Sequence, residues 1–205
     1  MQEIDEDKRE EEIEEPKKNF VNFLVSFFDF IKTIAVIVIL AFVIRVLIIQ
    51  PFIVEGESME PTFKTKDYLI TEKVSYRFRP PQRGEVVIFN PPDRSTENYI
   101  KRIIGLPGDQ IEIKEGNIYV NKEKLIEPYL NSIDKTLVSQ KEGYTTVLKD
   151  NEYFVMGDNR SHSRDSREIG SIPKQNVVSK VWFRLLPLDQ VSAFAAVDYK
   201  SVPQN

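Results

Sequence analysis

From Phe20 to Val54 the chain is almost continuously apolar, with Asp29, Lys32 and Arg45 as its only charged residues. A helix that is apolar all round has to be enclosed, either by protein or by lipid, so this segment constrains the architecture more than any other. Its strictly uncharged part, Thr33 to Ile44, is 12 residues long, short of the ~20 needed to cross ~30 Å of hydrocarbon. Extending it to Phe28–Ile49 restores the length if Lys32 and Arg45 lie near the ends and snorkel toward the headgroups. Pro51 then supplies the stop. The expectation is a transmembrane helix over residues 28–49, set against two competing readings, a buried core helix and a cleaved secretory signal. A cleaved signal starts with positive charge and ends on small residues; here an acidic stretch precedes the run and Gln50-Pro51-Phe52 follows it.

The flanks set the orientation. Lys17, Lys18 and Lys32 precede the span, and beyond Arg45 no Lys or Arg appears before Lys64. Basic residues favour the cytoplasmic side, which predicts a single-pass protein with its N-terminus in the cytoplasm and the rest extracytoplasmic. Residues 1 to 18 hold nine acids and four bases, so residues 1–19 read as an acidic, disordered tail. The remainder has 23 acids and 24 bases within a formal charge of −4, and offers no basic field for nucleic acid. With 205 residues, the chain has room for one domain of roughly 150 residues beyond the span, placed at 51–200.

That domain changes character to short β-rich runs separated by turn residues: Tyr68–Val74, Glu85–Phe89, Tyr99–Ile104, Gln110–Lys114, Asn117–Val120, Tyr153–Met156 and Val177–Leu186. Gly116-Asn117 is a hairpin signal between two of them. No helical period competes, and the predicted fold is mainly β, an antiparallel sheet domain preceded by one helix. Residues 128–151 read as a loop or extension.

The chemical inventory is narrow. The absence of cysteine removes thiol catalysis, disulfides and thiolate metal sites without locating the compartment. A single histidine, His162, cannot build a His-rich zinc site or an HExxH arrangement. No metal or cofactor is expected. What remains is a serine in Gly56-Glu57-Ser58-Met59-Glu60-Pro61-Thr62, directly after the apolar run, and a lysine in Tyr99-Ile100-Lys101-Arg102-Ile103-Ile104. A serine hydroxyl becomes a useful nucleophile when a neighbouring base takes its proton. His162 and Lys101 are the candidates. A lysine does this only when neutral, which burial promotes. In a strand, Tyr99, Lys101 and Ile103 share a face opposite Ile100, Arg102 and Ile104, so apolar neighbours can enclose the lysine.

Taken singly, the lysine is a solvated strand residue and the serine a turn residue. Their conjunction with Arg83-Gly84-Glu85-Val86-Val87-Ile88-Phe89, with Gly105-Leu106-Pro107-Gly108-Asp109 following the lysine strand, and with Gly157-Asp158-Asn159-Arg160 to Asp165-Ser166-Arg167 is specific. Over roughly Phe28 to Pro187 the chain resembles the type I signal peptidases, the membrane-bound serine proteases that remove signal peptides from exported proteins. The resemblance implies Ser58 as nucleophile, Lys101 as general base, and Ser163 orienting the lysine amine. It implies supporting pairs Asp165–Arg167 and Asp158–Arg102. It implies that the Ser58 N–H forms one arm of the oxyanion hole; Gly56, which stands where some members carry a second serine, is compatible with a backbone or water donor for the other arm, and also with a turn glycine. The implied partners are the signal peptides of exported precursors and the lipid bilayer, in a cell membrane or a thylakoid membrane where the source has one. Preference for small residues before the cut also follows from the resemblance.

Phe52, Phe63, Trp182 and Phe183 read either as an apolar surface that meets the bilayer or as β-core. The rivals are a related Ser/Lys processing protease with another substrate and a catalytically inactive anchored β-domain. A penicillin-binding type of enzyme lacks support, because Ser58 is followed by Met-Glu-Pro and not by x-x-Lys.

Overall fold

The structure, a computed structural model, describes residues 3–92, 97–130, 143–197 and 199. The chain divides into two compact units, Met1–Val46 and Leu47–Asn205. The first is a helix, α1, that runs over Glu3–Leu47 and contains one stretch, Asn22–Arg45, long and apolar enough to cross a membrane. It also takes in most of the acidic stretch for which the sequence suggests no fixed structure; Glu and Lys are favourable helix formers. The helix stops at Leu47, two residues short of the expected Ile49, because the next residues enter a sheet. Pro51, expected as the helix stop, lies inside strand β1 (Ile49–Ile53). That strand is the edge of its sheet, where a missing N–H interrupts no ladder.

The second unit is mainly β, and its strand pairs are antiparallel. The strands are β2 (Tyr68–Glu72), β3 (Val86–Phe89), β4 (Tyr99–Gly105), β5 (Gln110–Lys114), β6 (Asn117–Val120), β7 (Glu123–Lys124), β8 (Tyr144–Val147), β9 (Glu152–Met156), β10 (Ile172–Pro173), β11 (Val177–Leu186) and β12 (Ser192–Ala193). The larger sheet has the order β1-β2-β11-β3-β4-β9-β10, with β12 paired to β11; a smaller one has the order β7-β6-β5-β8. The hairpin at Gly116-Asn117 joins β5 to β6 with Ile113 opposite Ile118. Residues 143–151, within the segment read as a loop, contribute β8; residues 131–142 lie outside the described residues.

The larger sheet is buried on both faces, which is why β3 reads as an uninterrupted apolar run. Val86 and Ile88 pack with Val54, Met59, Phe63, Leu69, Ile100 and Val181. Val87 and Phe89 pack on the other side with Ile103, Tyr153, Val155 and Ile172. A third cluster, including Ile104, Ile111, Ile113, Ile118 and Phe154, joins the small sheet to the large one. Of the aromatics with two readings, Phe63 is fully buried in the core, Phe52 is half-buried against the same core, and Trp182 is half exposed.

Candidate active site

Ser58 is set by its neighbours. Met59 and Phe63 are both fully buried in the core beside β2, and the Phe63 N–H closes a turn on the Met59 carbonyl at 2.9 Å. These apolar residues hold the loop down and leave Ser58 half-buried beside an open groove of about 690 Å³. The groove runs between Pro51–Ser58 on one side and Glu97–Lys101 on the other.

Lys101 comes from β4, opposite Val87 of β3, and is 4% exposed. Its Nζ lies 2.6 Å from Ser58 Oγ and 2.9 Å from the Ile100 carbonyl, and 5.5 Å from the centre of the Tyr99 ring on the same strand face. Burial, the largest influence, lowers the Lys101 pKa from 10.5 to about 8. Asp165 and Asp158 pull it back up, and Arg167 pushes it further down. Desolvation disfavours the ammonium, so a substantial neutral fraction exists in mildly alkaline solution.

The Ser58 N–H has no acceptor among the described residues. Gly56 adopts a φ of +87°, a conformation that favours glycine. Its carbonyl accepts from Thr65 Oγ1 at 3.0 Å. His162 is exposed on the groove rim, with Nδ1 3.0 Å from Ser161 Oγ and 3.4 Å from Asn159 Oδ1.

Behind the pair stands a charged frame. Asp165, fully buried, accepts from the Gly157 N–H at 3.0 Å and from both Nε and Nη2 of Arg167 at 2.8 Å. It also caps the short helix α2 (Ser166–Ile169) by accepting from the Arg167 N–H at 3.3 Å. Ser163 Oγ donates to Asp165 Oδ2 at 2.7 Å and makes no hydrogen bond to Lys101; a carboxylate is the stronger acceptor. Asp158 forks onto Arg102 at 2.9 and 2.6 Å and accepts from Thr62 Oγ1 at 2.6 Å. Arg102 donates further to the Gly84 carbonyl at 3.0 Å.

Two features of this frame are not evident from the sequence alone. Gly157 has no room for a side chain, because a Cβ there would collide with Ser163 Oγ and the Ser58 carbonyl. Arg160 is almost fully buried and forks onto Glu127, 33 positions away. The only hint for either lies in the motif glycine and in an arginine flanked by polar residues, and nothing local marks Glu127.

A family model described as "Signal peptidase, peptidase S26" matches residues 27–186. The probable signal peptidase I-2 of Synechocystis is 39% identical over 165 residues, covering 78% of this chain and 73% of that protein. Signal peptidase I of Bacillus amyloliquefaciens is 36% identical over 171 residues, covering 80% of this chain and 90% of the other. A solved signal peptidase I from Enterococcus faecalis is 31% identical, with a TM-score of 0.43, covering 50% of this chain and 97% of that one.

Proposed function

The chain belongs to the signal peptidase family S26 and is a serine peptidase, and from that premise we propose that it is a membrane-anchored endopeptidase that removes N-terminal signal peptides by a Ser58/Lys101 mechanism. The observation that carries the reading is the 2.6 Å separation of Lys101 Nζ from Ser58 Oγ, at an amine whose pKa burial lowers to about 8.

The precursor segment lies in the groove as an added strand beside Pro51–Glu57 and Asn98–Lys101, where backbone hydrogen bonding gives affinity. Ser58 Oγ attacks the scissile carbonyl while neutral Lys101 takes its proton. The Ser58 N–H stabilises the oxyanion, a type of donor whose removal costs about 2.7 to 4 kcal/mol. The ammonium then protonates the leaving amine, which departs with the mature chain, and leaves an ester on Ser58. Water, deprotonated by Lys101, hydrolyses that ester and frees the signal peptide. Asp165, with Arg167 and Ser163, and Asp158, with Arg102, hold the two reacting groups in place.

The helix over Asn22–Arg45 anchors the enzyme, with the N-terminus cytoplasmic and the β-unit extracytoplasmic. The lysines before the span support that orientation. The test is incubation of the wild-type, Ser58→Ala and Lys101→Ala proteins with signal-bearing precursors, followed by identification of new N-termini. Loss of cleavage in both folded variants is expected; near-normal turnover by either one overturns the mechanism. Added protease should reach the β-unit from outside sealed vesicles, and protection there would defeat the orientation.

A further inference from the structure

We infer that Glu127 and Tyr129, from the segment after β7, are positioning residues for the cleavage reaction: through Arg160 and Arg102 they fix the backbone strips that hold Ser58 and Lys101 together. The inference rests on the Ser58/Lys101 reading above. Neither residue lines the groove, so each acts at one remove from the substrate.

The first line of contact runs through Arg160, whose side chain is 1% exposed. Its guanidinium forks onto the Glu127 carboxylate, with Nη1 to Oε2 at 2.8 Å and Nη2 to Oε1. Its Nε donates to the Gly157 carbonyl at 3.0 Å. Gly157 is packed directly against the Ser58 carbonyl and Ser163 Oγ, and its N–H donates to Asp165. The neighbouring Asn159 N–H bonds the Ser58 carbonyl at 3.1 Å. A movement of Gly157 therefore has nowhere to go except into the nucleophile's own peptide and the Ser163–Asp165 pair.

The second line runs through Tyr129. Its hydroxyl donates to Glu127 Oε1 at 2.5 Å and lies 3.2 Å from the Tyr199 hydroxyl. Its ring lies under the Arg102 guanidinium, with Cζ 4.0 Å from the ring centre. That distance is well within cation–π range. Arg102 follows Lys101 in β4 and is tied to Asp158, which in turn holds Thr62 in the nucleophile's loop. Glu127 and Tyr129 thus touch the supports of both reacting side chains.

A buried ion pair is a weak source of stability, since two apolar side chains of similar volume often serve as well or better. The planar fork of arginine supplies direction instead. Here it aims Nε at one carbonyl, and displacements of the order of 1 Å at reacting groups can lower rates by about a hundredfold.

The experiment uses the full chain in detergent micelles and a signal-bearing precursor, with kcat, KM and Tm measured for three variants. Glu127→Gln is expected to lower kcat by roughly ten- to a hundredfold, with KM held within about twofold. Its Tm should also fall, because Arg160 loses its carboxylate partner. The double variant Glu127→Met with Arg160→Met should recover the Tm and yet keep the low kcat. Recovery of kcat together with Tm shows a merely structural pair and overturns the inference, as does an unchanged kcat in Glu127→Gln or a loss confined to KM. If the single variant does not fold, the double decides. If neither folds, Tyr129→Phe decides, with kcat expected to fall several-fold and an unchanged kcat overturning the proposal. Ser58→Ala run alongside separates the two readings. Cleavage by that variant sinks the dyad, whereas an inactive Ser58→Ala beside wild-type-like Glu127 and Tyr129 variants sinks only this inference.

Discussion

Replacing Lys101 by methionine should abolish cleavage and at the same time make the protein more stable near neutral pH. Lys101 is 4% exposed, and burial lowers its pKa from 10.5 to about 8. In the unfolded chain the amine keeps its proton up to about 10.4. Below pH 8 both states carry the proton, and the folded state bears the full penalty of a buried ammonium, about 3 kcal/mol at 1.36 kcal/mol per pH unit. Between about 8 and 10.5 the unfolded chain binds more protons than the folded one, so wild-type stability rises with pH through that window. Methionine has a similar length and no charge to desolvate. The Lys101→Met advantage should therefore be constant at pH 6 to 7, shrink from pH 8, and lose its pH-dependent part of about 3 kcal/mol near pH 10.5. Urea unfolding of the full chain in micelles, at matched m-values from pH 6 to 10.5, measures it. A stability difference that does not change with pH would refute the claim that Lys101 is held as a desolvated amine.

Further outcomes follow from the same geometry. The acid limb of kcat/KM should have its midpoint near pH 8, where Lys101 becomes neutral, and fall about tenfold per pH unit below it; a pH–rate profile that stays flat through pH 8 would rule out Lys101 as the base. Lys101→Arg should be inactive at every pH below about 12, because guanidinium keeps its proton, as a precursor-cleavage assay would register. Gly157→Ala forces a Cβ into Ser163 Oγ and the Ser58 carbonyl, and kcat should drop by about a hundredfold with little change in substrate affinity by competition binding. Asp158→Ala removes the partner of buried Arg102 and the acceptor of Thr62, and should cost about 3 to 5 kcal/mol in urea unfolding.

The strand runs were legible because apolar β-branched residues alternate with turn residues. Gln110–Lys114, Asn117–Val120 and Val177–Leu186 have the same ends in the structure as in the pattern. Strand β1 was hidden, since Ile49–Ile53 continues an apolar run that a helix reading absorbs, and it becomes a strand only by pairing with β2. The two-residue strands β7, β10 and β12 are too short to carry a period.

At the site, residue type narrows the base for a serine nucleophile to His162 or Lys101, because a chain without cysteine and with one histidine has few other routes, and it is the resemblance carried by the surrounding motifs that selects Ser58 and Lys101. The sequence also implied burial of Lys101 through Tyr99 and Ile103 on its strand face. What it did not contain was the 2.6 Å approach across 43 positions, the turn of Ser163 toward Asp165, or the reach of Glu127 to Arg160. Periodicity and composition are local, one-dimensional signals, and they record which face a side chain occupies. Hydrogen-bond partners and charge pairs far apart in the chain are chosen when strands order themselves β2-β11-β3-β4-β9, and that ordering is decided by the packing of three separate apolar clusters around the sheets.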